Sequence, residues 1–212
     1  MLTLYGMPVA PNPRRVILFI HALDSKKLDI EYEQVSISKR EHLSESMLSK
    51  NPFGQLPFLE IKGGTEPAVI SDSHAICRYL AAVSGDTGLF GSGALDQAQV
   101  SQMDRRIELE VQTYLLLSVQ YDSERWADIR PQHPEFAASA RKRGLKALHL
   151  VGDMISGSDY VCGDQLSIAD ITLYCLVDFG LLMKLPMTEH PAIKAHHELM
   201  SAKFSEVDFP AQ

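Results

Sequence analysis

The stretch from Asn51 to Ile76 constrains the fold of this chain most, because it places a proline directly before an apolar run. A β-sheet tolerates proline at few positions. Leu56-Pro57 directly precedes a short apolar run, Phe58 to Ile61. Proline cannot donate a ladder hydrogen bond, so it belongs at the first residue of a strand or at a sheet edge. A proline placed there is also a candidate for the cis form. The residues therefore predict a strand that starts at Phe58, behind a candidate cis-proline.

The rest of this stretch predicts a returning strand and then a helix. Gly63-Gly64 indicates a turn, and Ala68 to Ile70 indicates the second strand of the pair. Ser71-Asp72-Ser73 are N-cap residue types, and apolar positions at helical spacing follow them up to about Val83. A helix start offers exposed N–H groups and a positive dipole end. We therefore expect an anion-binding helix start here, suited to carboxylates.

Length and composition exclude several classes of protein. The chain has 212 residues, 45% hydrophobic and 22% charged, which is enough for one large domain or two small ones. Its net charge of -7, without a basic run, disfavours a nucleic-acid binder or an anionic-membrane binder. We identify no signal peptide and no span long enough for a membrane helix. The three cysteines show no pairing pattern, so we expect a reducing, cytoplasmic environment.

The chain changes character near its middle. Before residue 84, strand and helix patterns alternate: a strand at Leu2–Tyr5, a helix from Arg14, a strand at 31–37 and a short helix at 41–49. Residues 84–93 are rich in glycine and lack periodicity, as expected of a linker. Only helix patterns follow. We therefore predict domains at 1–83 and 94–212, joined by a linker at 84–93.

One signal in the second half predicts how that domain is organised. Ser167-Ile168-Ala169-Asp170 has the spacing of a capping box, with Asp in the usual Glu position. The helix predicted after it, to about Met183, is apolar nearly all round. Such a helix is expected to form the buried centre of its domain.

The motif NPFGQLPFLE…ISDSHAICRYL resembles the half of a glutathione transferase that contains the glutathione site. The resemblance to this superfamily runs over nearly the whole chain. It implies an α/β thioredoxin-like N-terminal domain with βαβαββα order and a mixed sheet, followed by an all-helical C-terminal domain. It also implies glutathione as co-substrate and a homodimer. We expect no metal, because the cysteines and the pair His196-His197 lack the spacing of metal ligands.

The resemblance also implies roles for particular residues. In the family, the Leu56-Pro57 junction is cis and the backbone of Leu56 pairs with the cysteinyl unit of glutathione. Asp72 and Ser73 hold the γ-glutamyl end, although plain helix capping explains their residue types equally well. Gln55 and His42 lie where the glycyl carboxylate would be contacted. For His42, a surface histidine on a charged helix is the alternative.

The catalytic position departs from the common pattern of the family. The serine- and cysteine-type classes place the catalytic residue six positions before the valine of the first helix, which is Ala10 here. Asn12 instead resembles the asparagine in the Pro-Asn loop of Nu-class bacterial relatives, where it faces the glutathione sulfur. The alternative is a loop asparagine that turns the chain into the helix. Tyr5 is another candidate donor, although its place in a strand favours a core role.

Several further residues have both a functional and a structural interpretation. Tyr114, Tyr121 and Trp126 are candidates for the wall that receives a second, apolar substrate, or for core packing. Asp104 lies where some family members reach across a dimer toward the ligand. Arg14 and Arg15 are candidates to attract an anionic ligand. The alternative is that they lie on a solvated face of the helix. Cys77 is expected to be buried.

We therefore expect glutathione thiolate to attack a small electrophile, or bound glutathione to reduce a peroxide or disulfide. The alternative is a non-catalytic binding or regulatory protein of the same fold, such as the starvation-type proteins that bind polymerase. Ala10 favours that alternative, because it offers neither donor nor nucleophile. A glutathione-dependent isomerase is disfavoured, because the serine-cysteine loop of the zeta type is absent from the sequence.

Overall fold

The computed structural model describes residues 1–23, 28–63, 68–85 and 88–207. The described residues form two compact units, one of residues 1–89 with 206–207 and the other of residues 90–205. The boundaries predicted at 83 and 94 stay a prediction. Asp86 and Thr87 of the predicted linker, and Gly64 of the predicted turn, lie outside the described residues.

The first unit has the predicted thioredoxin-like architecture. Its elements are β1 (Leu2–Gly6), α1 (Pro11–Ala22), β2 (Ile30–Gln34), a 3-10 turn (Glu41–Leu43), α2 (Glu45–Leu48), β3 (Phe58–Ile61), β4 (Ala68–Ile70) and α3 (Ser73–Ser84). The strand order in the sheet is β2-β1-β3-β4. β1 is parallel to β2 and antiparallel to β3, which is in turn antiparallel to β4. The βαβαββα order and the mixed sheet are therefore confirmed.

Two predicted boundaries in this unit were wrong. Helix α1 begins at Pro11, not at Arg14, because a proline fits the first helical turn, where its missing N–H is not needed. Strand β2 ends at Gln34, not near residue 37. There the carboxylate of Glu41 accepts the Ser36 N–H at 2.7 Å, and the Glu41 N–H donates to the Ser36 carbonyl at 3.0 Å. These two bonds close a turn and end the strand.

Strand alternation divides the apolar residues of this unit between the two faces of the sheet. Register pairs Leu4 with Leu59 and Tyr5 with Phe58, so the two pairs point to opposite faces. On the Tyr5 face, Tyr5, Val35 and Phe58 form a buried cluster, with Met47, Leu56 and Val69 packed against it. Helices α1 and α3 pack on each other and bury an apolar set: Val16, Leu18, Phe19, Ile76, Cys77 and Leu80.

The second unit is helical over its described length, as predicted. Its elements are α4 (Ala94–Arg106), which continues through a π-helical segment (Ile107–Gln112) into α5 (Thr113–Gln120), then α6 (Glu124–Ala127), α7 (Pro134–Met154), α8 (Ile168–Leu182) and α9 (Pro191–Lys203). Within the described ranges, the structure has no helix whose length and apolar character suit a membrane crossing.

Helix α8 is the buried centre of this unit, as predicted. Residues 168–177 are all buried. The capping box is present: the Asp170 carboxylate accepts the Ser167 N–H at 2.8 Å. The same carboxylate accepts the Val161 N–H at 2.7 Å and contacts His196 Nε2 at 3.0 Å. One buried acid thus joins the start of α8 to the preceding loop and to α9.

Candidate functional site

Sheet register gathers the predicted glutathione residues at one edge. β1 ends at Gly6, opposite Gln34 at the end of β2, and the pair Tyr5–Phe58 places the start of β3 at the same edge. Leu59 pairs with Ile70, so β4 also ends there. The segments that follow β1, β2 and β4 and the segment that precedes β3 therefore start from one edge. They carry Asn12, His42, Gln55, Leu56, Pro57, Asp72 and Ser73.

The loop before β3 is held by its own first side chain. Asn51 is buried; its amide donates to the Gln55 carbonyl at 2.7 Å, and its Oδ1 accepts the Phe53 N–H at 3.3 Å. Gly54 has φ +59°, a conformation that favours glycine. The Leu56–Pro57 peptide bond is cis. Sequence reasoning missed Asn51, although an Asn-Pro pair is a turn signal.

Some side chains around this loop pack against the unit, and others are exposed. The Leu56 side chain packs on the Tyr5–Val35–Phe58 cluster, whereas Gln55 is exposed. A side chain at Gly54 would come within 3.8 Å of the His42 carbonyl oxygen, so the His42 segment lies against this loop. The edge therefore combines an anchored backbone with an exposed amide side chain.

The start of α3 carries an acid and a serine with separate partners. Asp72 is the N-cap, and its carboxylate accepts the Ala75 N–H at 2.8 Å. Ser73 is buried, and its Oγ accepts a hydrogen bond of 3.0 Å from Arg15 Nη1. Arg15 is only 1% exposed, so the interpretation of a solvated helix face was wrong for this residue. The second turn of α1 thus meets the start of α3.

The first turn of α1 concentrates donors at Asn12. Ala10 is the N-cap residue and has no polar side chain, and Pro11 and Pro13 have no backbone N–H. Among the first three helical residues, only Asn12 carries a backbone N–H, together with its side-chain amide. Asn12 is half-buried at the positive end of the helix dipole. This arrangement is suited to stabilising an anion such as a thiolate.

Tyr5 has the core role that its strand position favours. Its hydroxyl donates to Glu60 at 2.9 Å and accepts from Lys50 Nζ at 3.0 Å. Its ring stacks on Phe58 with centroids 4.4 Å apart. Burial raises the pKa of Tyr5. The hydroxyl is thus engaged by a charged pair inside the unit.

His42 is half-buried, not a fully exposed surface histidine. Burial lowers its pKa, which favours the neutral imidazole. Its Nδ1 is buried, and burial outweighs a hydrogen bond to the Ser36 backbone that acts to raise the pKa. A neutral imidazole can still donate one hydrogen bond to a carboxylate.

The aromatic candidates of the helical unit all contact other side chains of that unit. Trp126 packs against its hydrophobic core, the Arg143 guanidinium lies 4.1 Å from the Tyr114 ring centroid, and Tyr121 packs between His133 and Phe136. Asp104 is fully buried and accepts a hydrogen bond from the Thr172 hydroxyl. Roles for these residues toward a substrate stay a prediction.

The cysteines offer no activated nucleophile. All three lie in the described ranges as thiols; Cys77, as expected, and Cys175 are buried. Burial, together with the charges of Asp170, Asp96 and Asp104, raises the pKa of Cys162 to about 11. A thiol with such a pKa stays protonated at neutral pH.

Comparison with known proteins gives a consistent result over both halves of the chain. The family "Glutathione S-transferase, N-terminal domain" matches residues 4–87, and "Glutathione S-transferase, C-terminal domain" matches residues 111–203. Glutathione S-transferase 2 of Saccharomyces cerevisiae is 28% identical over 94% of this chain and 85% of its own length. Glutathione S-transferase 3 of Zea mays is 30% identical over 80% of this chain and 73% of its own.

The chain is also similar to a solved structure and to a second group of relatives. The crystal structure of Gtt2 from Saccharomyces cerevisiae matches with a TM-score of 0.85 and 26% identity, covering 94% of this chain and 95% of that one. Elongation factor 1-gamma of Prunus avium is 32% identical over 70% of this chain. The match spans only 34% of that elongation factor.

Proposed function

Because the chain belongs to the glutathione transferase superfamily, we propose that it binds glutathione at this edge of the sheet and activates its thiol. The thiolate then attacks a small electrophile, or reduces a peroxide or disulfide, in a detoxification role in the cytoplasm. The observation that carries the proposal is the gathering at one edge of the Leu56-Pro57 junction, the start of α3 and the first turn of α1.

Each end of the tripeptide has a suitable partner at this edge. The N–H groups at the start of α3, with Asp72 and Ser73, suit the γ-glutamyl end, which carries both an amino group and a carboxylate. The backbone of Leu56 is proposed to pair with the cysteinyl unit, as a strand would. Gln55 and the neutral His42 are proposed to donate to the glycyl carboxylate.

Activation of the thiol requires a lower pKa than a free cysteine has. A free thiol has a pKa of about 8.5, so most of it is protonated at neutral pH. The amide of Asn12 and its backbone N–H, at the start of α1, would donate to the sulfur and favour the thiolate. Asn12 is therefore the proposed catalytic residue in place of the serine, tyrosine or cysteine used elsewhere.

Calorimetric titration with glutathione tests this proposal, using the unmodified chain, Ser73→Ala and Asn12→Ala. Ser84→Ala, at the other end of α3, is the matched control. We expect Ser73→Ala to weaken binding by roughly tenfold, the cost of a hydrogen bond to a charged group. Asn12→Ala should keep the affinity but lose the ultraviolet absorption of the bound thiolate. Equal thiolate absorption in both chains would contradict the role of Asn12.

A second candidate function is a binding or regulatory protein without catalysis. Ala10, a residue without donor or nucleophile, supports it, and so does the similarity to elongation factor 1-gamma. The two functions differ in one measurable property, because an enzyme must bind glutathione and lower its pKa. Failure of the unmodified chain to bind glutathione would contradict the enzyme and favour this second function.

We also propose that the chain forms a homodimer. Phe53, beside the Asn51 side chain, is 84% exposed, and Leu43 on the adjoining segment is 46% exposed. Leu43 Cδ2 lies 2.8 Å from where a side chain at Gly54 would begin, so Leu43 packs against the loop that carries Phe53. Burying an exposed aromatic ring of this kind stabilises an interface.

A further inference from the structure

Arg15 and Ser73 lie 58 residues apart in the chain and share a buried hydrogen bond of 3.0 Å. Arg15 is 1% exposed and Ser73 is 5% exposed. A guanidinium only donates and never accepts, so the Ser73 oxygen must be the acceptor. The hydroxyl proton of Ser73 therefore takes no part in this bond and can be donated to another acceptor.

The surroundings of Ser73 favour an anionic acceptor. The residue opens α3, where backbone N–H groups and the helix dipole favour negative charge. The neighbouring carboxylate of Asp72 already accepts the Ala75 N–H at 2.8 Å as the helix cap. A hydroxyl that accepts from a cation donates more strongly, because hydrogen bonds in a chain polarise one another. A carboxylate accepts such a donation and cannot compete as a donor.

We propose that Arg15 is a positioning residue that holds Ser73 as a hydrogen-bond donor for the carboxylate at the γ-glutamyl end of glutathione. The inference rests on the proposed function, and it adds a buried arginine that does not itself touch the ligand. It predicts a specific preference. The site distinguishes a carboxylate from a carboxamide at this end of the ligand, and the distinction depends on Arg15 acting through Ser73.

The test is a double-mutant cycle on glutathione affinity, with Arg15→Met, Ser73→Ala and the double variant. Each single variant should weaken binding by roughly tenfold, and the double variant should be no weaker than the worse single one, because both remove the same donation. The same titrations are run with a glutathione analogue whose γ-glutamyl α-carboxylate is a carboxamide. For that analogue, Arg15→Met should change the affinity less than twofold.

Arg78→Met is the matched control, because Arg78 is an exposed arginine on α3, the helix that Ser73 begins. Arg78→Met should leave the affinity for both ligands unchanged, which would exclude a general effect of the lost positive charge. Should Arg15→Met fail to fold, the cycle is decided with Arg15→Lys, which keeps the charge but not the planar donor geometry. Arg15→Lys should weaken the binding of glutathione and leave the binding of the carboxamide analogue unchanged.

The outcomes separate the inference from the proposed function. Additive losses in the cycle, or equal losses for glutathione and the carboxamide analogue, would overturn the positioning role of Arg15. In that case a glutathione site that depends on Ser73 would still stand. If the unmodified chain bound neither ligand, the proposed function itself would fail, and this inference with it.

Discussion

The side-chain amide of Asn51 donates a hydrogen bond of 2.7 Å to the carbonyl oxygen of Gln55. The same side chain accepts the Phe53 N–H at 3.3 Å, so a single buried residue closes the whole loop before Leu56-Pro57. The backbone proposed to pair with glutathione is thus positioned by a buried side chain.

We predict that Asn51→Ala weakens glutathione binding by roughly tenfold and lowers the free energy of unfolding by about 1–3 kcal/mol, because it leaves polar groups of the loop without partners. Asn51→Asp should lose as much affinity, since a carboxylate cannot donate to the Gln55 carbonyl. Titration and urea unfolding measure both effects. The control is Ser49→Ala, because the Ser49 hydroxyl donates to the Ser46 carbonyl in an exposed turn. Unchanged affinity in Asn51→Ala would show that this loop is not positioned by its first residue.

Local patterns in the sequence predicted those elements whose causes are themselves local. The strand behind Leu56-Pro57, the Asp72 cap of α3 and the capping box at Ser167 each depend on a few adjacent residues. The start of α1 was predicted at Arg14, which is too late, because prolines are common in loops as well as in a first helical turn. The structure uses both within the first helical turn.

Partners that are distant in the sequence could not be predicted in this way. Arg15 meets Ser73 over 58 residues, and Tyr5 meets Glu60 over 55 residues. Such pairs follow from strand register and from the packing of α1 on α3, neither of which a residue pattern specifies. Arginine on a helix is usually solvated, so only the fold identifies Arg15 as buried.

Glu60 predicts a pH dependence of stability. Its carboxylate accepts from Tyr5 at 2.9 Å and from Lys50 at 3.0 Å. Burial acts to raise the pKa of Glu60, but the hydrogen bonds from Lys50 and Tyr5 outweigh it and hold the pKa below its usual value. A group whose pKa is lowered on folding stabilises the protein above its unfolded pKa, about 4.3, and loses that contribution as pH falls through the folded value.

We therefore predict that Glu60→Gln lowers the free energy of unfolding at neutral pH by about 1–3 kcal/mol. The difference from the unmodified chain should shrink as pH falls below about 4.3, because protonated Glu60 has lost the same interactions. Urea unfolding over a pH series measures it. Lys62→Met is the comparison, since Lys62 is exposed and its Nζ lies 3.4 Å from the carboxylate. This substitution should lower the free energy of unfolding by less than about 1 kcal/mol. A difference that does not vary with pH would contradict the assignment to Glu60.

The contacts of Asp170 predict that its substitution destabilises the helical unit more than substitution of Ser167 does. Its carboxylate accepts N–H groups from Ser167 and Val161 and contacts His196 Nε2, all of them buried. Asp170→Asn turns an amide N–H₂ toward the donors at Ser167, and should cost about 1–3 kcal/mol. Ser167→Ala removes only the cap hydroxyl and should cost about 1 kcal/mol. Thermal and urea unfolding rank the two variants, and an equal cost would show that the additional partners of Asp170 contribute nothing.

Phe53 provides the test of the proposed homodimer. The ring is 84% exposed, while the backbone that carries it is fixed by Asn51. Replacing it should therefore change the surface and leave the loop intact.

We predict that Phe53→Ser weakens dimerisation at least tenfold, as expected for the loss of a buried aromatic anchor. The same variant should keep the glutathione affinity of the unmodified chain within twofold. Sedimentation equilibrium and calorimetry measure the two quantities. Leu150→Ser, which removes an exposed apolar side chain of α7, is the matched control and should leave association unchanged. If Phe53→Ser associates like the unmodified dimer, the interface does not include this loop, and if the unmodified chain sediments as a monomer, the dimer proposal fails.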